Sequence, residues 1–458
     1  MGRTESSSRL PFIGLAAVLA VAAVLRAPLL AGGQIDYDEG VYWQSLRALA
    51  AGHALFASVY SSQPPAFLLL LLPSHLALGG GIAAARLAVL VLALAGIAAA
   101  GRIAWILGGP RAGLLAAALL AADPLYFQAS VTLQADGPSV ALALVGLAAA
   151  AEARLRLPLP LAAAAGAALA AAVLVKLLAV AALPAALVLL VARPPRFRPL
   201  AAAVVGGALA AAALLLPFAG VWPALWAQTV GLHLGARALP LGGLDGATLL
   251  RGLPVAVVAT AGGLTAFHRA PLLVVTAATW AAAAALLLAV QHPLWPHHAV
   301  VLTAPLALLG GGLALGIPVR RSAAVVAGCV LLVASVASGL FVRSLQAPLG
   351  ADGPVVAALR ADTTPADLVI TDDQFAAALA DRSTPPELVD TSFVRVQSGG
   401  LTTAQVEAIA ARPGVRAVLL ATDRLSALPG LPAWLAQRYP HVLDLGGGRT
   451  LYTRLKDT

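Results

Sequence analysis

Two adjacent carboxylates, Asp38 and Glu39, follow the first long apolar stretch of a chain in which only 11% of the residues are charged. They sit in Asp36-Tyr37-Asp38-Glu39-Gly40-Val41-Tyr42, and acidic residues this crowded at a membrane edge need a reason. A third carboxylate, Asp136, lies in Leu133-Gln134-Ala135-Asp136-Gly137-Pro138, and Lys176 ends an apolar run in Leu174-Val175-Lys176-Leu177. Carboxylates can orient or deprotonate a hydroxyl or hold a metal, and a lysine at the membrane boundary can neutralise a lipid-linked phosphate. Each also has a structural alternative. Asp38 and Glu39 suit a solvated helix start, Asp136 before Gly-Pro suits an N-cap, and Lys176 suits a side chain snorkelling to the interface. Their coincidence on one face favours a shared site.

Weaker signals accompany them. Gln291-His292-Pro293-Leu294-Trp295-Pro296-His297-His298 gathers three of the eight histidines, whose imidazoles could contact phosphate or sugar. Adjacent His297 and His298 should point different ways on a helix, which argues against a two-histidine metal site. Trp222, Trp226 and His233 read more readily as interface anchors than as a sugar platform. Cys329 is the single cysteine, so no disulfide or cysteine metal site is available.

The elements that must position these residues are membrane helices. A 60% hydrophobic fraction and mean hydropathy of +0.90 accompany repeated apolar runs of about 20 residues, the length that crosses a bilayer core. The pattern predicts about eleven spans, near 10–31, 86–107, 112–130, 137–152, 159–175, 177–192, 200–219, 248–267, 271–290, 298–317 and 322–342. The first run is too long for a signal-peptide core and is expected to stay as a helix. The net charge of +9 reads as topology rather than nucleic-acid binding, because Lys and Arg cluster between apolar runs. With Arg3 and Arg9 cytoplasmic, Arg111, Arg154 with Arg156, Arg193 with Arg196 and Arg198, Arg269, and Arg320 with Arg321 fall on the same side. Asp38, Glu39, Asp136, Asp245 and the C-terminal segment fall opposite. That parity requires the short apolar segment 64–78, opened by Gln63-Pro64-Pro65, to be a juxtamembrane helix that does not span.

Near residue 345 the composition turns to that of a soluble domain. Strand-like runs at Asp367-Leu368-Val369-Ile370 and at 415–420 alternate with helical stretches around 373–380 and 402–411. A small extracytoplasmic α/β domain over 345–458 is expected, after a membrane catalytic domain over 1–344. Gly446-Gly447-Gly448 precedes a terminal strand and reads as a turn rather than a phosphate loop.

At these residues the chain resembles the membrane glycosyltransferases of the GT-C class, in particular the protein-mannosyltransferase-like and aminoarabinose-transferase-like branch. That branch has an Asp-Glu pair in the first external loop, a Pro-Pro segment, an Asp-x-Pro motif and a later Lys before a Pro-containing apolar run. Here they stand as Asp38-Glu39, Gln63-Pro64-Pro65, Asp136-Gly137-Pro138, and Lys176 with Pro184. The stretch from Leu294 through Pro305 is similar to the family's later aromatic and proline-containing helix start. The resemblance implies a GT-C-like polytopic α-helical fold. It further implies inverting transfer of a sugar from a polyprenyl-phosphate donor to a glycan, lipid or protein acceptor on the extracytoplasmic face of the plasma membrane. Asp38 would be the general base or an acceptor-orienting carboxylate, Glu39 and Asp136 would shape the site or hold a cation, and Lys176 would contact the donor phosphate. Where many relatives carry Lys before Pro-Pro this chain carries Gln63, which shifts phosphate binding toward Lys176, His292, His297, His298 or Arg237. A divalent cation is compatible with the carboxylates, but hard cations take more oxygen ligands than these segments offer, so no obligatory metal or other cofactor is expected. The main alternative is a multi-span transporter or flippase, which should instead place its charges near the bilayer midplane.

Overall fold

The computed structural model describes residues 4–155, 158–192, 197–316, 321–348, 350 and 352–454. Arg3, Arg156, Arg193, Arg196 and Arg320, five of the residues that set the topology, lie outside that range. The chain begins α1 (Thr4–Arg26), α2 (Tyr37–Ala50), α3 (Ala66–Ala77), α4 (Ile82–Gly108), α5 (Pro110–Ala122), α6 (Pro124–Ala129), α7 (Asp136–Ala153), α8 (Pro158–Val175), α9 (Leu183–Val191) and α10 (Phe197–Leu215). Helices at Gly246–Ala266, Pro271–Val290, Thr303–Gly311 and Arg321–Leu345 follow. Among the described residues, eight helical segments are long and apolar enough to cross a membrane, and shorter apolar helices stand among them. Eight of the eleven predicted spans coincide with these segments, whereas 112–130 is divided at Asp123, 177–192 opens with a 3₁₀ stretch, and 159–175 is one of the shorter helices. At about 18 Å, the twelve-residue α3 is shorter than a bilayer core. It packs instead against α2 and α4, with Phe67, Leu68 and Leu71 buried.

Small residues let these helices approach closely, as expected where lipid supplies no hydrophobic drive between them. α8 lies between α7 and α10. A Cβ added at Gly166 of α8 would overlap the Ala203 carbonyl of α10, and one at Gly206 would overlap that of Ala163. Only glycine permits this contact.

The C-terminal segment forms a four-stranded sheet in the order β1-β2-β4-β3, from β1 (Leu368–Thr371), β2 (Val415–Leu420), β3 (His441–Asp444) and β4 (Thr450–Thr453). β1 and β2 are parallel, and β4 runs antiparallel to β2 and β3. Period-two alternation buries both faces. Ile370 and Val418 pack with Val406, Leu435 and Tyr439, while Val369, Ala417 and Leu419 face Val355 and Leu359 on the other side. Gly446, Gly447 and Gly448 all have φ between +65° and +79° and make the β3–β4 turn.

This segment sits directly on α2. The Trp43 and Phe375 rings lie 5.4 Å apart, Gln44 Nε2 donates to the Arg382 carbonyl at 2.8 Å, and Arg47 pairs with Asp381 at 2.9 Å. The helix carrying Asp38 is thus clamped between the membrane helices and the sheet segment.

Candidate functional site

Asp36 has extended backbone and caps α2, its Oδ1 accepting from the Asp38 amide at 3.0 Å. That leaves Asp38 in the first turn, where the helix dipole favours a carboxylate. Its side chain lines a cavity of about 580 Å³. Lys176, Gln63, His292, His297, His298 and Arg237 line it too, six residues from four separate stretches of sequence. Among the described residues none donates a hydrogen bond to the Asp38 carboxylate, which is therefore open to a ligand.

Two of the expected residues do not line this cavity. Glu39 points away from it and is fully buried against Arg86. Its Oε1 accepts from Arg86 Nε (2.8 Å) and the Leu133 amide (2.8 Å), and its Oε2 from Arg86 Nη2 (2.7 Å) and the Ile35 amide (2.7 Å). Arg86 Nη1 and Nη2 also donate to the carbonyls of Leu30, Gly32 and Gly33. All acceptor capacity of Glu39 is spent in holding the α1–α2 loop, α2, α4 and the strand of chain before α7 together. Asp136 does not cap α7 with its side chain. Its Oδ2 accepts from Lys176 Nζ at 2.6 Å, both groups being nearly inaccessible, while its Oδ1 is buried without a partner. Lys176 is therefore paired rather than snorkelling, with two ammonium protons left for another acceptor.

The histidines differ from expectation. His297 and His298 begin a 3₁₀ turn (Pro296–Leu302), and His298 folds back so that its Nδ1 accepts from the Trp295 amide at 3.3 Å. The rings therefore end perpendicular with centroids 4.7 Å apart, and nitrogens of both lie within 4.8 Å of an Asp136 oxygen. His297 Nδ1 is 3.7 Å from Asp36 Oδ2 and 3.4 Å from Gln134 Nε2. Asp136, His297 and His298 are thus near enough to be considered as metal ligands. The fit is poor, because Lys176 occupies one Asp136 oxygen and the Trp295 contact places the His298 proton on Nε2, the nitrogen an ion would need. Within that triad one oxygen and one imidazole remain, so by itself it offers fewer ligands than zinc or a hard cation takes.

The cavity also holds residues that motif reading did not reach. Asp36 lines it beside Asp38, and Asp390, Ser392, Phe393 and Arg424 enter from the C-terminal segment. Trp222 and Trp226 are half-exposed and do not line it, whereas His233 does.

Residues 62–222 match the sequence model of the family described as dolichyl-phosphate-mannose-protein mannosyltransferase. A search of curated proteins returned no match. Among solved structures, ArnT from Cupriavidus metallidurans superposes with a TM-score of 0.73 at 17% identity, covering 96% of this chain and 98% of that one. The oligosaccharyltransferase AglB from Archaeoglobus fulgidus gives 0.57 at 12% identity, over 99% of this chain and 75% of that one. Arabinofuranosyltransferase AftD from Mycobacteria gives 0.53 at 15%, over 98% of this chain and 40% of that one. The chain has the GT-C fold, and the resemblance drawn from its motifs is borne out.

Proposed function

We propose that this chain is an inverting glycosyltransferase that moves a sugar from a polyprenyl-phosphate donor to an acceptor hydroxyl or comparable nucleophile at the extracytoplasmic membrane face, with Asp38 as general base. The observation that carries the assignment is the open carboxylate of Asp38 in a cavity it shares with Lys176. The fold and the family match over residues 62–222 support the reaction class. ArnT from Cupriavidus metallidurans has been solved with undecaprenyl phosphate and AglB with dolichol phosphate, which supports a donor of the same lipid class here.

In this reading Asp38 takes the acceptor proton as the acceptor oxygen forms its bond to the anomeric carbon, on the face opposite the phosphate. The bond from that carbon to the phosphate oxygen breaks, and the departing phosphate gains a negative charge. Lys176 uses its free ammonium protons to receive that charge, with His298 Nε2 as a further donor and Arg237 as a second cation on the cavity wall. Gln63 contributes an uncharged amide donor there. Glu39 acts through geometry rather than chemistry, fixing the turn that presents Asp38. The division into a catalytic membrane part over 1–344 and an extracytoplasmic part over 345–458 completes the proposal.

The test is turnover of a polyprenyl-phosphate sugar by the purified full chain in lipid nanodiscs. Asp38→Asn keeps the shape and removes the base, and turnover should fall by about 100- to 10,000-fold with the fold intact. Near-normal turnover by this variant would remove Asp38 from the role.

A further inference from the structure

We infer that Arg424 is the anion-recognition group of the acceptor subsite, and that the acceptor carries a carboxylate or phosphate close to the group that attacks. This rests on the glycosyl-transfer reading above and names a property of its unassigned substrate. Arg424 stands in a one-turn helix (Asp423–Ser426) after β2, at the carboxyl ends of the parallel strands β1 and β2, the edge where α/β sheets present ligand sites. The approach to that turn is tied down. Asp372, directly after β1, accepts from the amides of Ala421 (2.7 Å) and Thr422 (3.1 Å) through Oδ1 and from Leu425 (3.1 Å) through Oδ2.

The guanidinium itself lies against two aromatic rings. Its Cζ lies 3.8 Å from the centroid of Tyr37 and 4.6 Å from that of Phe393, and Tyr37 is fixed in turn by its hydroxyl against Thr391 at 3.2 Å. Stacking satisfies the faces of the guanidinium but not its edge. Among the described residues only Nη1 makes a hydrogen bond, with Thr422 Oγ1 at 3.1 Å, and Nε is buried with no hydrogen-bond partner. No described residue forms an ion pair with it. A guanidinium held against two rings, with no ion pair among the described residues and facing a cavity, is pre-organised for forked binding of an oxyanion.

Arg424 and Lys176 reach the one cavity from different parts of the chain. Lys176 follows a membrane helix, whereas Arg424 comes from the sheet segment and lies against Tyr37, the neighbour of Asp38. An anion bound at Arg424 would therefore lie beside the residue next to the base.

The full chain in nanodiscs saturated with undecaprenyl phosphate should bind glycerol phosphate or glycerate, small hydroxyl compounds bearing phosphate or carboxylate, more tightly than neutral glycerol. Tighter binding of one anion than the other distinguishes the two sources. Arg424→Gln should weaken that binding by about 10- to 100-fold, the loss of a charge-assisted pair. Arg424→Lys should restore part of it, and undecaprenyl phosphate affinity and melting temperature should stay unchanged in both. Equal binding of the anions by Arg424→Gln, equal binding of glycerol and the anions, or weakened undecaprenyl phosphate binding in that variant would overturn the assignment. Failure of the unsubstituted chain to bind undecaprenyl phosphate would instead overturn the donor reading, so the two failures are separable.

Discussion

Asp36 and Asp38 stand two positions apart at one helix start, yet their surroundings push their titrations in opposite directions. Burial opposes ionisation of both. At Asp36 that is outweighed by neighbouring His297 and by the Asp38 amide, which hold its carboxyl below the usual range. At Asp38 burial is reinforced by the Asp36 charge, and against the pull of His297 and Lys176 its pKa is pushed up to about 7. A base poised near neutrality is what proton abstraction from a hydroxyl calls for. Because the basic form accumulates as pH rises, kcat/KM should climb about tenfold per pH unit below about 7 and level off above it. A pH–rate profile with no break between pH 6 and 8 would sink that assignment. The same shift has a stability consequence of opposite sign. The folded chain binds the Asp38 proton more tightly than the unfolded chain, so this group's contribution is present at low pH and is lost as pH rises from the unfolded value toward and through 7. Asp38→Asn should therefore melt higher than the parent at pH 8 while losing turnover, and a lower melting temperature at that pH would contradict the burial argument.

Among the elements, the Glu39–Arg86 pair decides where α2 begins. Arg86 reaches from α4 to three carbonyls of the α1–α2 loop, and Glu39 answers with bonds to Ile35 and Leu133, three residues before Asp136. One buried ion pair thus fixes the segment that carries Asp38 against the segment that carries Asp136, the partner of Lys176. Removing one partner leaves the other charge buried and uncompensated, so Glu39→Leu or Arg86→Met alone should each cost about 3–5 kcal/mol in reversible unfolding. The combined Glu39→Leu, Arg86→Met variant should cost clearly less than the sum of the two, since no charge is then stranded. Additive losses would show that the two side chains do not act as a pair. Glu39 also marks where motif reading stops: the Asp-Glu adjacency was legible, but not that successive residues of a helix face about 100° apart, sending one carboxylate to the cavity and the other to Arg86. The span positions, β1, β2 and the glycine turn were legible because periodicity and composition are local. The exposed edge strand β3, with no buried face, and the convergence of His297 and His298, which depends on one backbone contact to Trp295, left no such trace.

For the whole molecule, the contacts between α2 and the sheet segment tie Asp38 and residues 352–454 to one side of the membrane. After Cys329→Ser, a cysteine at half-exposed position 442 should react with an impermeant reagent added to intact cells. Labelling only after lysis would invert the proposed orientation. The same contacts explain why Asp390, Phe393 and Arg424 escaped the sequence: their place in the cavity is created by docking across more than 300 positions, not by any local motif. Gly40 is the tightest point of that docking, because a Cβ there would come within 2.5 Å of the Phe375 amide nitrogen and 3.1 Å of the Gln374 carbonyl carbon. Backbone cannot yield as a side-chain tip does, so overpacking should cost about 1–3 kcal/mol, taken from the interface rather than from the membrane helices. Gly40→Ala should therefore make the segment after residue 352 more open to proteolysis and lower turnover, while undecaprenyl phosphate binding at the membrane end of the cavity persists. Gly252→Ala, where a Cβ meets nothing within 4 Å, provides the control and should change neither. If Gly40→Ala kept parental protease resistance and turnover, the sheet segment would not be a working wall of the active cavity, and the acceptor role of Arg424 would fall with it.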